Sequence, residues 1–187
     1  MTSASISIDY DLGRSGWSKF TLTVGDRSTK VGAFSYCTDA LGDLVRAALA
    51  MATGADRAEV RLDLEPDQQW LIFQRANRSS GLGGSCSVTV LELEELDGLP
   101  QRPGRALLEA TARVETMARA VADAAQAVWD RHGADEYNTL WMGDRGFPLS
   151  ALRALQCALE VEDPAPYESD PDDFVYTTGL EPRETDD

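Results

Sequence analysis

Apolar and polar residues alternate from the start of the chain. In residues 5–12, Ile6, Ile8, Tyr10 and Leu12 fall on one side and Ser7, Asp9 and Asp11 on the other. A period of two predicts a half-buried strand. Residues 17–24 repeat it, with Phe20, Leu22 and Val24 against Lys19, Thr21 and Thr23. Gly25-Asp26-Arg27 then turns the chain into a further strand ending near Phe34, so the first 35 residues read as a three-stranded meander. The period changes at Thr38-Asp39. Leu41, Leu44, Val45, Ala48 and Leu49 recur at helical spacing, Thr38 or Asp39 supplies a cap, and Gly54 a stop. Asp39, Asp43 and Arg46 fall on the opposite, polar face of this helix.

Three more strands are predicted over 57–65, 69–76 and 85–94. The first alternates Ala58, Val60, Leu62 and Leu64 against Arg57, Glu59, Arg61 and Asp63, and Glu65-Pro66-Asp67-Gln68 makes a tight hairpin. Trp70-Leu71-Ile72-Phe73 is apolar on both faces, which places that strand inside the sheet or under another layer. Asn77 to Ser85 is a glycine-rich hairpin loop. After Gly98, Pro100, Pro103 and Gly104, the Ala-rich segment 105–132 reads as one long helix, with Glu109–Arg113 and Glu115–Arg119 as pairs four apart and His132-Gly133 at its end. A short helix is predicted over 149–160. The order βββ-α-βββ-α-α predicts an α+β domain over residues 1–160: one mostly antiparallel sheet of about six strands, with helices packed on one face. Its other face is expected to be polar and open, displaying Asp9, Lys19, Glu59, Arg61 and Asp63.

Charge adds a second segment. The 187 residues carry 17 Lys+Arg against 32 Asp+Glu, a formal net charge of −15. From Glu160 to the C-terminus there are eleven acidic residues and one Arg, so most of the excess lies there, among Pro164, Pro166, Pro171 and Pro182. Residues 161–187 therefore read as an acidic, extended tail. Its apolar members, Tyr167, Phe174, Val175 and Tyr176, supply anchors that a purely solvating tail does not need. Nucleic-acid binding is not expected, because phosphate contacts need clustered Lys and Arg. With no run of about 18 apolar residues, no transmembrane helix is expected. The N-terminal MTSASISIDYD lacks the features of a secretory signal. Cys37, Cys86 and Cys157 have no paired spacing, which points to free thiols in a reducing cytoplasm.

Candidate chemistry is sparse. The single histidine, His132, has no G-x-S-x-G partner, so a serine triad is not expected. Gly81-Leu82-Gly83-Gly84 precedes a strand rather than a helix and lacks G-K-[ST], so it does not form a phosphate loop. Asp170-Pro171-Asp172-Asp173 lacks the sixth-position glycine and closing Glu of an EF-hand. No cofactor or metal is expected. A carboxylate enzyme remains as an alternative only if several of Asp9, Asp11, Glu59 and Asp63 converge. Trp17 shares parity with Lys19 and belongs to the polar sheet face or its rim. Trp141, in an expected loop ahead of Asp144-Arg145-Gly146, has either the composition of an interface hot spot or the role of a plug between helices.

Phe34-Ser35-Tyr36, followed by Asp39-Ala40-Leu41-Gly42-Asp43-Leu44 and an Ala-rich helix, forms a recurring type of segment with Glu65-Pro66 leading to Trp70. Over residues 6–95 the chain resembles small bacterial proteins of unassigned activity, some of them similar to immunity proteins of polymorphic toxin systems. That resemblance implies a non-catalytic cytoplasmic protein that binds and blocks another protein. Strong negative charge implies a basic partner, reached by electrostatic attraction. The contact residues expected are Trp17, Glu59, Arg61, Asp63, Trp141, Tyr167, Asp170, Asp172 and Asp173. A homo-oligomeric structural or regulatory protein is the alternative reading.

Overall fold

In a computed structural model the chain folds as an α+β protein built on two antiparallel sheets and three helices. The structure describes residues 4–76, 81–96, 99–100, 104–142, 145–160 and 176–178. The expected meander is present as β1 (Ile6–Leu12), β2 (Trp17–Val24) and β3 (Arg27–Ser35), paired in the order β1-β2-β3. Its inner face carries Tyr10, Phe20, Leu22 and Val31 into the core, as the alternation requires. Helix α1 (Ala40–Ala52) follows, and Gly54 ends it with φ near +117°, a conformation that favours glycine.

The second sheet joins β4 (Arg57–Asp63), β5 (Gln68–Arg75) and β6 (Ser85–Leu93). A two-residue pair, β7 (Glu95–Leu96) and β8 (Leu99–Pro100), precedes β9 (Arg105–Arg113), which pairs with β6. Helices α2 (Val114–Trp141) and α3 (Leu149–Glu160) complete the domain. The short β10 (Tyr176–Thr178), within the segment expected as a tail, pairs with the edge of β4, Tyr176 opposite Glu59. The expected single six-stranded sheet is therefore two sheets. They diverge because β3 does not pair with β4 but runs across the second sheet. Arg27 Nη1 donates to the Glu109 carbonyl of β9 at 2.6 Å, Gln69 of β5 accepts the Gly32 N–H at 2.9 Å, and Cys37, just beyond β3, lies 3.5 Å from Glu65.

The expected helix over 105–132 is the other correction. Residues 105–113 form β9, placing Leu108 and Ala112 inward, and the Glu109–Arg113 pair consequently does not exist as a helical pair. Ala and Leu favour a helix locally, but β6 has an edge that must be paired, and tertiary pairing overrides propensity. The pair Glu115–Arg119 is present at 3.2 Å in α2. Gly133 breaks the helical backbone as expected, yet the chain resumes its helix to Trp141, so the expected loop around 138–141 is helical.

Helix α1 packs against β4, α2 and α3, and every one of its residues is buried. Its C-terminal carbonyls are met by the buried Arg75 of β5, which donates to Ala55 O, Gly81 O and Met51 O. One guanidinium thus satisfies helix-end and loop acceptors that water cannot reach. The nearby Cys86 thiol is pushed up to about 11 by burial, partly offset by Arg75. β5 lies inside the sheet with both faces covered, as its apolar run requires: Leu71 and Phe73 join the main core, while Trp70 and Ile72 form a small second cluster with Leu93 on the opposite face. That face is therefore not the open polar surface expected, although the charged side chains of β4 lie on it.

Candidate interaction surface

Three large apolar side chains are exposed among the described residues: Trp17 at 36%, Tyr36 at 48% and Met142 at 59%. They come from a strand start, the link between β3 and α1, and the residue after α2, and they converge on Gly16. The Gly16 N–H donates to the Leu140 carbonyl at 2.8 Å, tying the β1–β2 turn to the end of α2. Gly16 has φ near +76°, and a Cβ there would lie 2.4 Å from the Tyr36 ring and 2.9 Å from the Trp141 carbonyl. Only glycine permits both the turn and these approaches. Met142 itself adopts a left-handed conformation, φ 63°, with its N–H returned to Asn138 O at 3.2 Å, which closes the helix and turns its side chain outward.

A rigid base supports this patch. Trp141 is buried edge-on to Phe34, ring centroids 6.3 Å apart, and Phe34 packs against Phe20 and Tyr10. Trp141 is a packing residue whose ring meets Phe34 of β3, and its backbone carbonyl rather than its ring meets Gly16. Behind it, Arg46 Nη2 lies 2.6 Å from Asp39 Oδ2 and 2.6 Å from Asp43 Oδ1. These three were expected on a solvated helix face; Asp43 is fully buried and Asp39 and Arg46 nearly so. Asp39 makes no side-chain cap to α1, because its carboxylate is turned to Arg46. Burial pushes the Asp39 carboxyl up, against the opposing pull of Arg46 and Arg145.

Gly42 makes the Asp39–Arg46 contact possible. A Cβ at this position would fall 2.0 Å from Asp39 Oδ2 and 2.7 Å from Arg46 Nη2. Replacing glycine with alanine inside a helix ordinarily gains about 1 kcal/mol. Here Gly42→Ala is expected to lower stability by about 1–3 kcal/mol, the usual cost of overpacking. Urea denaturation checks the sign: a gain in stability contradicts the close approach.

The expected contact residues divide among separate places. Trp17 lies in the patch. Glu59 is nearly buried and paired with Arg57, and Arg61 sits 4.2 Å above the Trp70 ring. Asp63 Oδ1 accepts the Glu65 N–H at the β4–β5 turn. Because Glu65 touches Cys37, next to Tyr36, this acidic turn of Asp63, Glu65 and Asp67 borders the patch. Tyr167, Asp170, Asp172 and Asp173 lie outside the described residues. Sequence reading missed Tyr36 and Met142, which belong to no strand or helix and so carry no periodic signal. Asp9 and Asp11 stand on the meander, Asp11 paired with Lys19 at 3.2 Å, while Glu59 and Asp63 stand on the other sheet, so these four carboxylates do not form one site. Among the described residues no group of three or more His, Cys, Asp or Glu is placed to hold a metal, and no helix is long and apolar enough to cross a membrane.

Compared with protein families, curated proteins and solved structures, the chain matches none.

Proposed function

We propose that this chain is a non-catalytic protein-binding module, an acidic inhibitor of the immunity type that docks on a basic protein in the cytoplasm. The observation that carries the reading is the convergence of Trp17, Tyr36 and Met142 around Gly16, beside the acidic β4–β5 turn. Aromatic and Met side chains on a rigid base have the composition of an interface centre, and carboxylates at its margin select a cationic partner. The net charge of −15 extends that selection over long range by raising the rate of encounter. Cys37, Cys86 and Cys157 are free thiols, which suits a reducing compartment.

The test is affinity capture on the full chain, at about 50 mM and about 500 mM salt, with the association rate of the captured protein then measured. A basic protein is expected, associating at least about tenfold more slowly at high salt. Association equally fast at both salts overturns the electrostatic part of the proposal. Recovery of the chain alone, as a dimer through the same patch, replaces it with the homo-oligomer reading.

A further inference from the structure

Strand β4 carries a charge order that reads the same from either end once the signs are exchanged. Its outward side chains are Arg57, Glu59, Arg61 and Asp63, while Ala58, Val60 and Leu62 enter the main core. In the sheet, β4 is flanked by β5 on one side and by the three-residue β10 on the other. β10 pairs with Arg57, Ala58 and Glu59, and the seven-residue β4 runs on to Asp63. This edge therefore accepts a strand, and the strand it holds is short.

Residues directly opposite each other in an antiparallel pair share a face of the sheet. Turned about a two-fold axis at Val60, a second β4 sets Arg57 opposite Asp63 and Glu59 opposite Arg61, so every outward pair joins opposite charges. On the inward side Leu62 meets the small Ala58, and Val60 meets its own copy. Sliding the register by two residues sets Arg61 opposite Arg61 or Glu59 opposite Glu59. Sliding it by one turns the apolar face of one copy outward. A single register satisfies both faces.

We propose that the β4 edge is the docking site of a second copy of this chain, joined antiparallel about Val60 into one continuous sheet, with β10 as the cover that competes for it. Charged side chains on an edge strand ordinarily oppose strand addition. Here their order supplies cross-strand pairs instead. The contact is isologous, so it closes as a dimer and does not extend into a filament. β10 makes its ladder over three residues where the second copy makes one over seven, but β10 is tethered and competes at high local concentration. The opposite edge of the sheet is already engaged, since Arg27 donates to the Glu109 carbonyl of β9. The pairing uses none of Trp17, Tyr36 and Met142 and does not rest on the Gly16 patch.

Sedimentation equilibrium of the full chain, from about 1 µM to about 1 mM, tests the pairing. Thr177→Pro with Thr178→Pro uncovers the edge, because neighbouring strand residues point their N–H groups to opposite sides and one of the two prolines removes a ladder donor. This variant is expected to dimerise at least about tenfold more tightly than the unmodified chain, as loss of one or two ladder bonds implies. On that background, Glu59→Arg alone and Arg61→Glu alone are each expected to weaken the dimer at least about tenfold, because two symmetry-related pairs become like-charged. Mixed in equal amounts, these two variants are expected to dimerise with each other, since opposite charges then face each other in both pairs.

A mixture of isotope-labelled and unlabelled proline variant gives a second readout, an intermolecular NOE between the Ala58 and Leu62 methyls, which decides if the charge variants do not fold. Adding Trp17→Ser and Tyr36→Ser is expected to leave the dimer unchanged, which separates it from association through the Gly16 patch. A proline variant that stays monomeric at about 1 mM overturns the proposal. So do a dimer no stronger after the prolines, charge variants that dimerise alone as well as they do mixed, a dimer without that NOE, or one lost with Trp17 and Tyr36.

Discussion

Arg46→Ala is expected to lower the stability of the fold by about 3–5 kcal/mol, the cost of removing one member of a buried ion group. Arg46 places a single nitrogen between Asp39 and Asp43, and both carboxylates stay buried when it is removed. The two neighbouring carboxylates lose the cation they share and resist ionisation even with Arg145 acting on Asp39, so each is driven toward binding a proton in the folded state. The folded values then lie above the unfolded ones, and the lost stability returns as pH falls through the folded values. Urea denaturation of the variant at neutral and mildly acidic pH measures both effects. Adding Asp39→Asn and Asp43→Asn to Arg46→Ala is expected to recover part of the loss, because no charge then remains buried. A loss below about 1 kcal/mol at neutral pH, typical of an exposed pair, contradicts the burial of this group.

Replacing both Trp17 and Tyr36 with Ser is expected to weaken partner binding by about 100-fold or more at a cost in folding stability of about 1–2 kcal/mol. Both side chains are substantially exposed, so their removal opens no cavity in the core. At an interface the same side chains are desolvated, and aromatic anchors there each contribute about 2 kcal/mol or more on truncation. Trp141→Ala makes the contrast. That ring is buried against Phe34, and its loss is expected to cost about 3–5 kcal/mol of folding stability. Calorimetric titration of the captured partner, beside thermal melts of each variant, separates the two. Unchanged affinity in the double variant removes Trp17 and Tyr36 from the interface.

Much of the fold was legible wherever one face of an element meets the core. The alternation in β1, β2 and β4 and the Leu spacing of α3 report such faces directly. Residues 105–113 were not legible, because an Ala-rich segment with Leu107 and Leu108 satisfies a helical pattern locally, while the demand for a strand comes from the distant edge of β6. Helix α1 misled for a different reason. A pattern with one apolar stripe sends Asp39, Asp43 and Arg46 to solvent, whereas α1 is surrounded by β4, α2 and α3. The available signal was composition: Ala47, Ala48, Ala50 and Ala52, with Gly42, allow close packing on every side of the helix. For the site, strand parity brought Trp17 to the surface. The neighbours that make it a patch arrive through the Gly16 turn and the left-handed Met142, which follow from tertiary contacts.

The central claim, that the Gly16 patch is the docking surface, is tested most directly by amide hydrogen exchange on the captured complex and the free chain. Binding is expected to slow exchange in residues 14–18, 34–38 and 140–142, with a smaller effect at the acidic turn 63–67. Protection confined instead to the outer face of β4 and β5, with exchange around Gly16 unchanged, would contradict it.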